Sequence, residues 1–230
     1  MMKARELVDK LIEIAVNYKT VYMWGVFGSP VSEGIINEKA NQYPDWYTAS
    51  KQAQLRSLIG KKVYGFDCVN LMKGVLWGWN GNPNAYHGGA KYNSNGVPDV
   101  SADGMIKLCK DVKSTDFDKM LVGEALWMPG HWGVYIGDGL AVECTPAWKN
   151  GVQITAVGNI GNKAGYNTRR WSKHGKIPYV IYEEPKADPE LEEAKKVIKE
   201  KAGLADNTIK YLYEYKYGSD LLKKLAKAMK

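Results

Sequence analysis

Four short runs between residues 124 and 157 (EALWM, WGVYI, LAVEC and VQITAV) place β-branched and aromatic residues in segments too short for helices and separate them by turn signals. The Gly-Asp-Gly at 137–139 joins the second run to the third, so WGVYI and LAVEC form a hairpin. This part of the chain must build a sheet. The part before it has a different period. Residues 4–16 set Leu7, Val8, Leu11, Ile12 and Ala15 at helical spacing among charges, and residues 67–79 set Leu71, Met72, Val75, Leu76 and Trp79 at the same spacing. Helices that precede strands in this way predict an α+β fold, with the opening helices packed on an antiparallel sheet.

Around this frame, 47–58 reads as a helix, and the rest of 21–65 as loops and short pieces rich in aromatics, Gly, Pro and Asn. The stretch 80–100 is loop by composition, and a loop of that length usually has a use. Ser101 can cap a helix over 102–112, and a last strand at 178–182 would close the sheet. Residues 1–182 thus form one domain. Two prolines among charges mark 183–189 as a linker. The remainder, 190–230, carries three helical apolar stripes punctuated by Gly203 and Gly218, which describes a small helical appendage.

Composition narrows the class. With 45% hydrophobic and 25% charged residues, the 230-residue chain has the make-up of a globular protein. Charges interrupt every apolar stretch before the roughly 18 residues that a membrane span needs, so no membrane insertion is expected. The N-terminal segment lacks the apolar run and cleavage site of a signal peptide, which predicts a cytoplasmic chain or one that leaves by another route. The net charge of +7 favours polyanions. Residues 183–230 carry 11 lysines against 10 acids, so the excess belongs to 1–182. No nucleic-acid motif or concentrated basic helix accompanies the charge, and nucleic acid is not expected as a partner. The three cysteines lack paired spacing, so neither a disulfide scaffold nor a metal site is expected. No phosphate-binding glycine loop is present, and no cofactor is implied.

Chemistry concentrates at Cys68, in GFDCVNL, which falls at the N-terminus of the helix predicted over 67–79. Free amides and the helix dipole there favour thiolate and can receive an oxyanion. A thiol nucleophile needs an imidazole to carry its proton and a polar group to hold that ring. His131 opens a strand, and the hairpin returns Glu143 to its side. His87 reads as a surface or substrate-contacting residue, and His174, in WSKHGK, as a solvated loop residue. Cys109 and Cys144 read as core, Cys144 because strand alternation turns it away from Glu143. Trp77, Trp79, Trp127, Trp132 and Trp148 could line a sugar groove or simply fill the core. The basic stretch 163–176 reads as a solvated edge rather than a phosphate contact.

The combination of YMWG at 22–25, FDCVNL at 66–71, Gly-Glu at 123–124, GHWGVYIGDG at 130–139 and AVEC at 141–144 resembles the NlpC-type cell-wall peptidases and the related CHAP amidases. The resemblance covers about residues 4–182, with insertions at 27–62 and 80–100. It implies a papain-like cysteine peptidase core and cleavage of an amide in peptidoglycan. Carried over by position, it makes Cys68 the nucleophile, His131 the general base and acid, and Glu143 the orienting group, as in the CHAP members. Tyr22 matches a tyrosine beside the nucleophile, and Asp67 a residue that recognises a substrate amine; with Trp24 and Trp148, which lie next to the proposed chemistry, they are the expected substrate contacts. Val69 and Asn70 stand where the family has Ser-Gly, which alters the expected amine recognition. The layout resembles a phage or prophage endolysin, which waits in the cytoplasm until released and then acts on the wall. The alternative is a non-catalytic wall-binding module with an idle peptidase-like fold, in which the C-terminal region, with Tyr211, Tyr213, Tyr215 and Tyr217, holds a wall or partner.

Overall fold

In the computed structural model, which describes residues 1–182, 188–213 and 218–229, the opening apolar stripe forms as its spacing dictates. After the two-residue strand β1 (Met2–Lys3), helix α1 (Ala4–Asn17) buries Leu7, Val8, Leu11 and Ile14. Each such side chain contributes about 1.5–3 kcal/mol. The segment expected to hold one helix, at 47–58, among loops and short pieces is more regular than its composition indicates. It contains β2 (Lys19–Tyr22), β3 (Phe27–Pro30), α2 (Glu33–Gln42) and the expected helix, α3 (Ala49–Arg56), then β4 (Val63–Phe66). Strand β4 lies between β2, to which it is parallel, and antiparallel β3. Helix α2 escaped sequence reading because its buried apolar residues are only Ile35 and Ile36; a Ser32 cap starts it.

Helix α4 (Cys68–Leu76) is buried along its whole length. Asp67 caps it, accepting the Asn70 amide at 2.7 Å. The 80–100 loop follows, then α5 (Ala102–Leu108), which is shorter than the expected 102–112 helix. The chain turns at Cys109, and Lys110–Lys113 form strand β5 instead. The four apolar runs form β6 (Ala125–Met128), β7 (His131–Gly137), β8 (Leu140–Thr145) and β9 (Gly151–Val157). At the hairpin turn Asp138 and Gly139 both take positive φ, as a tight two-residue connection requires. Three short strands follow: β10 (Thr168–Arg169), β11 (Lys173–Lys176) and β12 (Val180–Ile181).

The main sheet has seven strands in the order β10-β9-β8-β7-β6-β11-β5. Its pairs are antiparallel apart from the short parallel edge β10–β9. Two expectations change here. The 178–182 segment does not close this sheet, because β12 pairs with β1 in a separate two-stranded ribbon. The WSKHGK stretch is no solvated loop, since β11 bridges β6 and β5. Helices α1 and α4 lie against β7 and β8. A mixed α+β architecture results, with α4 presenting its N-terminus to the sheet.

The chain divides into two compact units, Met1–Tyr182 and Glu183–Lys230. In the second, Asp188 caps α6 (Pro189–Ala202), and α7 (Asp206–Tyr213) and α8 (Gly218–Ala228) complete it. Leu191, Val197, Ile198, Ile209 and Leu222 meet in its own core. Linker residues 183–187, Tyr215 and Tyr217 lie outside the described residues.

Candidate active site

Strand register explains which side chains share a face. Gly133 of β7 stands opposite Glu143 of β8, so His131, two residues along, is on the face of Glu143. Thr155 of β9 stands opposite Ala141, and Arg169 of β10 opposite Val157, which brings both to that face too. The contacts follow the register. His131 Nε2 and Glu143 Oε2 are 2.7 Å apart, Thr155 Oγ1 donates to Oε1 at 2.7 Å, and the Arg169 Nε–H is shared between the two oxygens at 2.9 and 2.7 Å. Glu143 has no exposed surface. Burial pushes its carboxyl up, but His131 and Arg169 more than offset this, and it titrates below the usual carboxylate range. An ionised carboxylate only accepts, so Nε2 carries a proton and Nδ1 is the ring nitrogen left to exchange one.

The ring of Trp171 stacks on the His131 imidazole, with centroids 5.6 Å apart and planes 9° apart. Gly133 leaves the space for it: a Cβ there would be 2.7 Å from the indole. Arg169 packs over Trp148 at 4.8 Å. Arg169 and Thr155 were not singled out from the sequence. The basic stretch read as a solvated edge, and only the register of the two-residue strand β10 reveals Arg169 as half-buried.

Cys68 begins α4, and its sulfur meets the backbone on both sides of His131. Sγ is 3.9 Å from the Gly130 carbonyl oxygen, and the Trp132 amide donates to it. The Val69 amide also favours the charged sulfur, and the Tyr22 hydroxyl lies beside it. Among the described residues no direct hydrogen bond joins sulfur and imidazole; His131 makes its ring bond to Glu143. Burial opposes the thiolate that the helix start favours. Burial pushes the thiol up to about 12, Asp67 adds to the rise, and the amides offset only part of it. Burial and then the neighbouring Cys68 raise Tyr22 as well. Cys144 lies on the opposite face from Glu143, fully buried, with Sγ 3.2 Å from the Phe66 carbonyl oxygen.

Asp67 does more than cap. It accepts the Gly25 amide at 2.9 Å and the Asn70 side-chain amide at 2.7 Å, so it ties the YMWG turn to α4. Burial raises its carboxyl to about 6 against the pull of Asn70, Lys73 and Gly25. Asp67 and Asn70 stand in the wall of a groove of about 480 Å³ whose other sides come from Trp24, Tyr43, His87 and Asp99, among others. Asn70 Oδ1 is buried there without a hydrogen-bond partner. Trp24 and Trp148 are half exposed, whereas Trp77, Trp79 and Trp132 are buried and belong to the core rather than to a sugar groove. His87 meets Ser29 Oγ at 2.8 Å and packs on the Phe27 ring at a tilt of 32°.

Cys109 is the C-cap of α5, half-buried and packed against the main core as expected. His174 is buried against Glu124, 2.6 Å away, and donates from Nε2 to the Thr115 carbonyl, so it ties β11 to the segments before β6. No family model matches the chain, and no curated protein matches it.

Proposed function

We propose that this chain is a papain-like cysteine hydrolase that cleaves an amide bond of the stem peptide or crossbridge of peptidoglycan, in the manner of a phage or prophage endolysin. One observation carries the reading. A cysteine at a helix N-terminus has its sulfur against the carbonyl of the residue preceding a strand-opening histidine, and that ring is bound through Nε2 to a buried carboxylate. Nothing in this arrangement calls for a cofactor. The groove beside Asp67 and Asn70, with the half-exposed Trp24 near it, supplies a place for a polar peptide, and Trp148 offers a further aromatic contact.

Chemically, Cys68 Sγ attacks the carbonyl carbon while its proton passes to His131 Nδ1. Because the resting sulfur is a thiol, transfer accompanies attack instead of preceding it. The Cys68 and Val69 amides at the start of α4 receive the oxyanion. His131 then protonates the leaving nitrogen as the C–N bond breaks, leaving a thioester. Water attacks the thioester, gives a proton to His131, and releases the acid. Cys68 recovers its proton. Glu143 keeps the ring's orientation throughout. Such a protein would reside in the cytoplasm until release and then act at the wall.

The test is digestion of purified wall, with new amino termini and reducing ends read by mass spectrometry. The wild type should release new amino termini without reducing ends. Cys68→Ala should abolish release and leave the melting temperature within a few degrees; full release by that variant would overturn the assignment. The idle binding module is the second reading, favoured by the buried thiol and its lack of a bond to the imidazole. It predicts wall binding without release of any new terminus.

A further inference from the structure

Glu143 has more donors than a ring-orienting carboxylate needs. Its two oxygens take His131, Thr155 and both branches of the Arg169 Nε–H bond, which fills the sites a carboxylate offers. Arg169 is itself held from several sides. Its Nη2 reaches Thr145 Oγ1 at 3.4 Å, and its guanidinium lies over Trp148 at 4.8 Å and near Trp171 at 5.8 Å. Trp171 is the indole stacked on His131. Arg169 therefore touches both supports of the imidazole, the carboxylate at its edge and the indole at its face.

We propose that Arg169 is a positioning residue: its guanidinium holds Glu143 so that His131 keeps Nε2 occupied and Nδ1 as the proton acceptor. The inference rests on the reading that Cys68 and His131 exchange a proton. The ionisable groups that converge are His131 from β7, Glu143 from β8 and Arg169 from β10, with Cys68 and Asp67 at the start of α4 and Tyr22 from β2; Thr155 from β9, Met128 from β6, Trp148 and Trp171 are neutral. With Arg169 present, the carboxylate already has a permanent cation. Without it, His131 is the remaining cation available to Glu143, and the imidazolium, which cannot accept a proton, is favoured. Lysine would restore the charge but not the planar group that bonds the carboxylate while covering Trp148.

The experiment measures the rate of Cys68 alkylation by iodoacetamide against pH, with the modified residue assigned by mass, in wild type, Arg169→Gln, Arg169→Lys and Arg170→Gln. Arg170 is the adjacent exposed arginine bonded to the Gly158 carbonyl, so its variant controls for loss of charge. In Arg169→Gln the acid limb should move up by about one pH unit. In Arg169→Lys the limb should stay in place while the plateau rate falls several-fold. Arg170→Gln should overlay the wild type. A folded Arg169→Gln protein with the wild-type profile would overturn the proposal. If that variant fails to fold, Arg169→Lys decides, and an unchanged plateau overturns it. Wall digestion run in parallel separates the two readings: a wild type that cuts no wall sinks the substrate assignment, while the alkylation profile still judges Arg169.

Discussion

Glu143 is enclosed completely, so its charge is tolerable only because His131, Thr155 and Arg169 replace water around it. Glu143→Gln removes the charge and leaves the half-buried Arg169 without its anion. At pH 7 this should cost about 3 to 5 kcal/mol, read by urea denaturation. The pH dependence has a definite sign. The folded carboxyl titrates below its ordinary range, so its contribution is full above the unfolded value of about 4.3 and is lost as pH falls through the lower folded value. The gap between wild type and Glu143→Gln should therefore shrink once pH drops below about 4. A gap independent of pH would mean that packing, not charge, sets the cost. Cys68 and His131 are visible in the sequence because helix starts and strand starts are local features. Arg169 is not, because what defines it is a cross-strand register.

At the scale of elements, β7 carries the site only because one position along it is glycine. Gly133 faces Glu143 across the pair and Trp171 above, and a Cβ would lie 2.7 Å from the indole and 3.3 Å from the Val142 carbonyl oxygen. Gly133→Ala should either displace Trp171 from His131 or strain the sheet, at about 1–3 kcal/mol. A fall in melting temperature together with slower Cys68 alkylation checks this; a variant that melts like wild type would show that the indole moves freely. The elements themselves were unevenly legible. Helices α1 and α4 and the strands β6 to β9 announce themselves by period, since each has one strongly buried face or is buried throughout. Helix α2 and strands β5, β10 and β11 do not. Strand β5 is exposed along its length, β10 has two residues, and β11 places a histidine and a glycine where an apolar pattern would be sought. Their places are fixed by neighbours far along the chain, and residues 173–176 could not reveal from their own composition that His174 pairs with Glu124.

At the scale of the whole molecule, the two compact units have separate cores. Leu7, Leu11, Phe66, Met72, Trp132 and Val142 belong to one, and Leu191, Ile198, Ile209 and Leu222 to the other. Separate cores predict separate cooperative transitions. Ile198 is fully buried in the small core, so Ile198→Ala should destabilise that unit by about 2–5 kcal/mol and leave the unfolding of residues 1–182 unchanged, as followed by tryptophan fluorescence. The probe is selective, because all eight tryptophans lie within 1–182. Ending the chain at Tyr182 extends the argument to function. The fragment keeps Cys68, His131, Glu143 and Arg169 with every contact described for them, so its hydrolysis of soluble wall fragments should stay within about twofold of the full chain. If the helical unit serves to hold the wall, digestion of intact wall should fall by tenfold or more in the same fragment. Equal loss on both substrates would instead make the helical unit part of the catalytic fold, which its separate core argues against.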